Sequence, residues 1–575
     1  MLFRSTILTT KYPKDIAIRL GMAGFYQIQG RWGDSEKQWT TLVTMYPKNI
    51  NLRLGLANFY AVQKRFPEAD KVYGEAVKLN PENARAYLAY GDFYAAQGKV
   101  NEAIKKYQEA IKVQPDTVYA RAKISELYLA MNKYDQASSY IEEILKQNPG
   151  DPEGNFLKGR LHLARGELDS ALSLLQQVIK EKPNFARGHY FLGLTYFAKR
   201  DLQSAKTEML EALKRAPNFL DARLTLANIY LRLRSFDLAV EESRKALSLY
   251  PRNVQARLFL GDSLFLQNKF PEAEKEFAKV IEIAPKNPMG YRQSGILYLA
   301  MRKDDKALER FEKALSLDPR LLDLLAFISD IRLKQKKPDM AIERCYAHLK
   351  LMPENAFIYN LIGKLYLAKN DSNRAEESFK KAIKLDPRLI SSYLWLGQLY
   401  ASSGKLDNAI KEYQAALKAN PKLLQPYMLL GTLYERQGKF EDAKKMYREG
   451  LKINPDFAPI ANNLAYLYVE HGGNIDEALT LAEKIREKYP NDPAIADTLG
   501  WIYYHKGVFR KATTLLAESK EKLPKNPLVC YHLGMAYYKI GEKKPAIKEL
   551  REALTLSPNF RGAEEAKKVL RELKG

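Results

Sequence analysis

Proline returns every 34 residues along almost the whole chain, and this period limits what the chain can fold into. The series runs from Pro13 to Pro455, and after one step of 35 residues it continues at Pro490, Pro524 and Pro558. Because proline lacks a backbone N–H and disfavours helix at the residue before it, each of these prolines ends a helix at the same phase. A fixed period of this length predicts an array of stacked units rather than a set of separate globular domains.

Small residues recur at two fixed points when each unit is numbered so that its proline is position 32. Position 20 is alanine in fifteen of sixteen units, with Ser35 as the exception, and position 8 is always glycine, alanine or serine. Added methylene groups in such a contact cost about 1–3 kcal/mol, so these positions predict that two helices approach closely there. Position 15 is Gly, Asn, Lys or Arg, and Gly or Asn there suits the left-handed turn that ends a helix.

Larger apolar residues form a second periodic feature. Position 11 is tyrosine in thirteen units, and position 7, four residues earlier, is mostly leucine or isoleucine. Residues four apart share one face of a helix, so the two positions make a stripe that a single helical hairpin cannot bury alone. The stripe predicts that neighbouring units stack on one another.

The phase of the repeat also predicts the organisation of the chain. We expect a half repeat with only a second helix at 1–15, thirteen 34-residue units at 16–457, a 35-residue unit at 458–492, two further units at 493–560 and a capping helix at 561–575. Because Ile7–Pro13 matches Thr41–Pro47, Met1 falls at the start of a second helix. This predicts an internal start, a processed form or a fragment of a longer array; alternatively, the helix simply caps the array.

One unit departs from the pattern. In 322–355 the usual tyrosine, aromatic and alanine are replaced by Arg332, Cys345 and His348. Weaker stacking at this unit would make it a hinge, and ordinary degeneracy of the repeat is the alternative interpretation.

The pattern of small residue, tyrosine, alanine, aromatic, alanine and proline resembles the tetratricopeptide repeat over essentially the entire chain. One unit shows it in full, at Tyr87, Tyr90, Gly91, Tyr94, Ala103, Tyr107, Ala110 and Pro115. The resemblance implies an all-α, right-handed superhelical solenoid of about 16 units, with first helices lining a concave groove and second helices facing outward. From Ala461 onward the chain also resembles the C-terminal part of large bacterial envelope proteins of this family, including those of exosortase and exopolysaccharide systems.

Charge and cysteine usage bound the classes of partner. The 92 Lys and Arg exceed the 68 Asp and Glu by 24, but basic and acidic residues lie side by side on the expected exposed faces, which mainly serves solubility. We therefore do not expect nucleic acid as a partner. Only Cys345 and Cys530 are present, so a disulfide framework and zinc-type cysteine clusters are excluded.

The first ten residues lack the apolar region of a secretory signal, and no stretch approaches the ~20 apolar residues of a membrane span. The chain as written is therefore expected in the cytoplasm, whereas a signal upstream of Met1 would place it in the periplasm or cell envelope. The sequence leaves the oligomeric state open.

Motifs of catalysis are not found in the sequence. There is no glycine-rich phosphate loop followed by Lys and Ser or Thr, no His-Glu-x-x-His and no Gly-x-Ser-x-Gly. Cys345 and His348 have a ligand-like spacing, but they occupy core positions of the repeat and are interpreted as packing. We expect a protein that is not an enzyme and that has no catalytic, cofactor-binding or metal-binding residues.

Candidate functional residues lie at positions 2, 5, 9, 12 and 13 of each first helix, which line the groove in the family that the chain resembles. They are Arg85, Asp92, Arg160, Tyr190, Phe197, Asn228, Arg232, Asp262, Phe265, Asn360 and Gln398. Apolar and aromatic side chains interleaved with isolated polar groups suit an extended peptide or an amphipathic helix. The carboxylate clamp of the family would need Lys at position 5 and Asn at position 9 of one unit, and no unit has that pair.

These observations favour a scaffold or adaptor that binds protein or peptide partners in the groove, in bacterial envelope or exopolysaccharide assembly. A second hypothesis is a polysaccharide or polyanion binder that uses Arg85, Arg160, Arg187 and Arg232. A third, suggested by the half repeat, is the regulatory arm of a larger protein truncated at Met1.

Overall fold

The computed structural model describes residue 12 and residues 14–573, and every regular element in these residues is an α-helix. The chain divides into two units, Met1–Met301 and Arg302–Gly575. The first unit contains α1 (Ile16–Ile28), α2 (Trp32–Met45), α3 (Ile50–Val62), α4 (Phe66–Leu79), α5 (Ala84–Ala96), α6 (Val100–Val113), α7 (Val118–Ala130), α8 (Tyr134–Gln147), α9 (Pro152–Arg165), α10 (Leu168–Glu181), α11 (Ala186–Ala198), α12 (Leu202–Arg215), α13 (Leu220–Arg232), α14 (Phe236–Leu249), α15 (Val254–Leu266), α16 (Phe270–Ile283) and α17 (Pro288–Ala300).

The second unit continues the same alternation. It contains α18 (Asp304–Leu317), α19 (Leu322–Lys334), α20 (Pro338–Leu349), α21 (Ala356–Ala368), α22 (Ser372–Leu385), α23 (Ile390–Ser402), α24 (Leu406–Ala419), α25 (Leu424–Arg436), α26 (Phe440–Ile453), α27 (Ala458–Glu470), α28 (Ile475–Lys488), α29 (Pro493–His505), α30 (Phe509–Lys522), α31 (Pro527–Lys539), α32 (Lys543–Leu556) and α33 (Ala563–Glu572). The expected all-α fold of paired helices is confirmed for the described residues. The expected half repeat at 1–15 lies outside them, except for Tyr12, Lys14 and Asp15.

Each repeat is a hairpin of two helices, which we call helix A (α1, α3 and the other odd-numbered helices to α31) and helix B (the even-numbered helices). Within each unit, helix B packs against helix A of its own repeat and against helix A of the next one. This stacking is what the apolar stripe at positions 7 and 11 predicts, because each hairpin buries its stripe against its neighbour.

The small residues mark the contact inside each hairpin. All fifteen alanines at position 20 are 0% exposed, and so is Ser35, whose hydroxyl donates a hydrogen bond to the carbonyl of Ala23 at 3.0 Å. At position 8, a Cβ added to Gly91 would lie 2.6 Å from the ring of Tyr107 on helix B. The predicted close approach is confirmed, since at Gly91 even a methyl group would overlap the facing ring.

The turn between helices A and B requires a left-handed residue. Position 15 has a positive φ in all sixteen repeats, including eight with a non-glycine residue, such as Lys64 at 61° and Arg200 at 64°. The left-handed turn expected from Gly and Asn at this position is confirmed. The fold imposes it on Lys and Arg as well, although such residues pay a steric cost there.

The tyrosine at position 11 packs its ring in the apolar stripe and uses its hydroxyl as a hydrogen-bond donor to the preceding repeat. The hydroxyl of Tyr94 donates a hydrogen bond to Asp70 of the preceding repeat at 2.7 Å, and Tyr400 donates to Glu376 at 2.8 Å. Tyr60 and Tyr298 bind carboxylates in the same way. The ring therefore fills the stripe while its hydroxyl fixes the register between two repeats.

In several repeats, the side chain at position 4 of helix A forms a hydrogen bond with the carbonyl of the turn proline that precedes the helix. Arg257 donates hydrogen bonds to the carbonyl of Pro251 at 2.6 Å and to the carboxylate of Glu276 on helix B at 2.7 Å. Arg223 and His189 bind the prolines before their own helices in the same way, and each also pairs with a glutamate on helix B. In these three repeats a basic side chain at position 4 thus connects the turn between two repeats to both helices of one repeat.

We expect Arg257→Leu to lower the free energy of opening of residues 254–287 by about 2–3 kcal/mol. The side chains of Arg257 and Glu276 are only 14% and 12% exposed, so the change leaves a largely buried carboxylate and the Pro251 carbonyl without this donor. Native-state hydrogen exchange measures the effect. Arg244→Leu, an exposed arginine on α14, is the matched control, and an equal effect of both changes would contradict the prediction.

The final helix α33 packs on the end of the second unit. Its Ala566, Val569 and Leu570 belong to a buried cluster with Tyr531 and Leu550 of the last repeat. Among the described residues, no helix has both the length and the apolar character that a membrane crossing requires.

Candidate interaction surface

We use the term A face for the surface formed by positions 2, 5, 9, 12 and 13 of the A helices, where the sequence analysis places the candidate residues. On the first unit this surface carries large apolar side chains in contact with solvent. Ile28 and Val62, both at position 13, are 88% and 66% exposed. Exposed apolar side chains of this size mark an interaction surface when they adjoin a cleft.

Such a cleft lies between α3, α4 and α5, and we call it cleft 1. It has a volume of about 570 Å³, which is in the range of ligand and peptide pockets. Its lining residues are Leu54, Asn58, Ala61, Val62, Lys64, Phe66, Tyr73, Arg85, Ala89, Asp92, Phe93, Ala96 and Gln97. The alanines leave the space open between the larger apolar side chains, and the polar residues lie among them.

Two of the candidate residues, Arg85 and Asp92, line cleft 1. Asp92 accepts hydrogen bonds from the hydroxyls of Tyr107 at 2.6 Å and Tyr119 at 3.1 Å, so its carboxylate is held by the protein itself. Arg85 is exposed and has no ion pair with any described residue. Arg85 is therefore free to bind a ligand, whereas Asp92 is already engaged.

A second cleft, cleft 2, lies between α11 and α13 of the first unit and has a volume of about 630 Å³. Its lining residues are Ala186, Arg187, Tyr190, Phe191, Ala216, Pro217, Asn218, Phe219 and Asp221. The ring of Tyr190 lies 4.9 Å from that of Phe219 and 5.1 Å from that of Phe191, and burial raises the pKa of its hydroxyl. Cleft 2 is thus an aromatic recess that contains the candidate Tyr190.

Arg160 and Arg187 share one carboxylate that the sequence analysis did not single out. Both donate hydrogen bonds to Glu126, at position 9 of α7, and the guanidinium of Arg160 lies 4.4 Å from the ring centre of Phe191. Burial raises the pKa of Glu126, but the hydrogen bond and charge of Arg187 outweigh it and hold that pKa below its ordinary value. Both arginines therefore already have a carboxylate partner within the protein.

The remaining candidates of the first unit are also engaged by their neighbours. The guanidinium of Arg232 lies 4.6 Å from the ring centre of Phe197, and its Nε donates a hydrogen bond to Asn228 at 3.4 Å. The ring of Phe265 lies 5.9 Å from that of Phe270. These contacts stabilise the A face and leave less of it free for a ligand than the sequence alone indicates.

In the second unit the two candidates differ in exposure. Asn360 is only 5% exposed and accepts a hydrogen bond from Ser392 at 3.0 Å. Gln398 is exposed and lines a shallow recess with Lys364 and Trp395. Asn360 therefore joins two repeats, while Gln398 lies at the surface.

Sequence reasoning also missed a cluster of titratable and aromatic side chains near the end of the second unit. The ring of Trp501 lies 4.0 Å from that of His532, and its indole N–H donates a hydrogen bond to Glu470 at 2.5 Å. Arg561, after the last repeat, pairs with the same Glu470 at 2.8 Å. Trp501 is 4% exposed, so the cluster is part of the packing that holds the final helix.

Cys345 and His348 serve packing in the irregular repeat, as expected. Cys345 is 0% exposed, and His348 bonds to the carbonyl of Pro319 through Nε2 at 2.8 Å. Among the described residues, no group of three His, Cys, Asp or Glu side chains is placed to hold a metal ion.

The buried carboxyl of Asp262 should make the stability of the protein depend on pH. Burial raises the pKa of its carboxyl from 3.8 to about 6, against the hydrogen bond of Gln293 and the charge of Arg292, which lower it. Below about pH 4 the carboxyl is protonated in both the folded and the unfolded chain. Between about pH 4 and 6 it ionises in the unfolded chain but stays protonated in the folded one, so the free energy of unfolding falls as the pH rises.

We therefore expect Asp262→Asn to have the stability of the natural chain below about pH 4. Its advantage should grow to about 2–3 kcal/mol by about pH 7 and stay constant above that. Chemical denaturation of both proteins across this pH range measures the difference. An advantage that is independent of pH, or one that grows as the pH falls, would contradict the prediction.

Comparisons with known proteins bear on the fold that carries these clefts. Two models described as tetratricopeptide repeat match the chain, one at 94–161, 128–195, 162–218 and 434–502, and the other at 63–117, 224–288 and 360–423. A model described as anaphase-promoting complex, cyclosome, subunit 3 matches 471–553. None of these descriptions refers to an enzyme, an exosortase or an exopolysaccharide system. No curated protein matches the chain.

The solved structures that match the chain include the hetero-tetramer Cut9–Hcn1 of the anaphase-promoting complex. It is 16% identical, with a TM-score of 0.36, over 85% of this chain and 96% of that one. Naa15/Naa10 bound to HypK-THB is 15% identical, with a TM-score of 0.36, over 97% and 96% of the two chains. The two tetratricopeptide models together match more than half of the residues, and the chain therefore belongs to the tetratricopeptide repeat family.

Proposed function

We propose that the chain is a non-catalytic scaffold that binds a segment of a protein partner on the A face of its first unit. The observation that carries the proposal is the exposure of Val62 in the lining of cleft 1, with Ile28 exposed at the same position of the preceding repeat. Large apolar side chains in solvent cost free energy unless a partner covers them, and protein interfaces are built around such anchors.

Cleft 2 supports the same function, because its lining is rich in aromatic side chains. Tyr190, Phe191 and Phe219 present aromatic edges in an open recess on the same unit. Aromatic side chains contribute much of the binding energy at protein interfaces. Two recesses on one unit suit a partner segment that extends over several repeats, because each recess accepts a separate side chain.

A polyanion or polysaccharide binder has less support. Of the four arginines expected to serve it, Arg160 and Arg187 pair with Glu126, and Arg232 lies over Phe197. Only Arg85 remains without a partner among the described residues. A setting in envelope or exopolysaccharide assembly, or in a longer protein, rests on the sequence alone.

Site-specific photo-cross-linking tests the scaffold function. A photoreactive residue at Val62 should form covalent adducts with protein in a lysate of the organism that encodes the chain. The same residue at Leu249, which is 40% exposed on a helix B, is the control and should form few. Adducts with only nucleic acid or glycan, or equally abundant protein adducts at both positions, would contradict the proposal.

A substitution then tests the affinity for the partner that is recovered. Val62→Glu should weaken binding at least about ten-fold, because it places a charge where an apolar side chain is covered. Leu249→Glu should leave the affinity unchanged. Equal effects of the two changes would show that the A face is not the binding surface.

A further inference from the structure

We infer that cleft 1 recognises an acidic amphipathic segment, with an apolar side chain inserted into the cleft and carboxylates bound at its rim. The inference rests on the proposed function and specifies the chemistry of the partner. It follows from three features of the cleft: its unpaired cations, its apolar floor and its difference from cleft 2.

The rim of cleft 1 has an excess of unpaired positive charge. Lys64 and Arg85 line the cleft, and neither forms an ion pair with any described residue. In the same repeats, Arg53 pairs with Glu75 and Arg65 pairs with Glu36 and Glu68. Two cations without an ion pair line one recess, so charge complementarity favours a partner that supplies the counter-charge there.

The only carboxylate in the lining does not cancel both cations. Asp92 is held by the hydroxyls of Tyr107 and Tyr119 and forms no ion pair with Arg85 or Lys64. One positive charge therefore stays in excess among the lining side chains, and Arg85 can form a bidentate pair with an incoming carboxylate.

The floor of cleft 1 is apolar and open. Leu54, Phe66 and Phe93 form it, and Ala89 and Ala96 leave room where other repeats could place larger side chains. Phe66 is 38% exposed, although its ring lies 6.3 Å from that of Phe93. An aliphatic or aromatic side chain of a partner would cover these rings and the exposed Val62.

Cleft 2 has a different electrostatic character and serves as an internal comparison. Its arginine, Arg187, is paired with Glu126, and its lining also contains Asp221. Cleft 2 therefore has no excess of unpaired positive charge. The preference for acidic segments is expected at cleft 1 and not at cleft 2.

Fluorescence anisotropy with two synthetic amphipathic peptides tests the inference. The peptides have equal length and identical leucine positions, and they differ only in carrying glutamate or lysine at the polar positions. The glutamate peptide should bind the full-length chain at least about five-fold more tightly than the lysine peptide at ~0.1 M salt, and the preference should fall as salt is added. Equal or tighter binding of the lysine peptide would overturn the inference.

Three substitutions locate the preference. Arg85→Glu should abolish it, while Arg252→Glu, at an exposed turn outside both clefts, should retain it. Ala96→Trp should fill cleft 1 and weaken the glutamate peptide at least about ten-fold. Ala164→Trp, at the same repeat position outside both clefts, should have no effect. A preference that survives Arg85→Glu would overturn the inference.

The outcome separates this inference from the proposed function. If protein adducts form at position 62 but the peptides show no charge preference, the acidic partner is wrong and the scaffold function stands. If no protein adducts form there, the scaffold function itself is wrong, whatever the peptides show.

Discussion

Replacing Tyr447 by alanine is expected to lower the free energy of opening of repeat 424–457 by about 3–5 kcal/mol. Tyr447 is 0% exposed, and its hydroxyl bonds to Glu435 and lies 3.4 Å from that of Thr432. The change leaves a cavity between helices A and B and removes a hydrogen bond from Glu435, whose pKa burial already raises. Because repeats open locally, native-state hydrogen exchange over 424–457 is the appropriate measurement.

The glycine opposite this ring gives the reciprocal test. A Cβ added to Gly431 would lie 2.2 Å from the ring of Tyr447, so Gly431→Ala should destabilise the repeat by about 1–3 kcal/mol although alanine favours helix. Gly74 is also inside a helix, but a Cβ there would meet only the hydroxyl of Tyr90 at 3.9 Å. Gly74→Ala should therefore stabilise by up to about 1 kcal/mol, and a similar gain at Gly431 would contradict the packing argument.

The period of the chain was sufficient to predict the repeat and its small contact points. The close contact at position 20 follows from the small size of alanine, and the left-handed turn at position 15 follows from residue type where that residue is Gly or Asn, because size and backbone preference are properties of a single residue. The partner of a small residue is different, since the ring over Gly431 comes from a position sixteen residues away on the other helix. That pairing depends on the side-chain rotamer and on the crossing of two helices, which a single sequence does not specify.

The same limit explains the candidate site. Composition and repeat position placed Arg85 and Tyr190 on the A face, where both line clefts. Composition and repeat position could not distinguish Arg85, which has no ion pair, from Arg160, which is paired with Glu126 of the preceding repeat. They also could not predict that Asn360 is buried. Pairing across repeats joins residues about one period apart, and the sequence gives no signal for which of several neighbouring charges will meet.

A buried charge in the final helix should have the other large effect. Val569 is 2% exposed and packs in the cluster that joins α33 to the last repeat. Val569→Asp places a carboxylate in this apolar contact, which should cost about 3 kcal/mol or more and release α33 from the repeat.

Release of α33 should then spread to the residues that it covers. Arg561 would no longer hold Glu470 in place, and Trp501, which donates its indole N–H to that carboxylate, would become accessible to water. We expect faster hydrogen exchange over 527–572 and a red shift of tryptophan fluorescence, with exchange of the first unit unchanged, because repeats transmit stability mainly to their neighbours. Lys568→Asp puts the same charge one residue away on the exposed side of α33 and should leave both signals as they are. A charge inside the contact must separate α33 from the last repeat if burial of the two apolar surfaces stabilises them. If Val569→Asp behaves like Lys568→Asp, then α33 does not protect the last repeat.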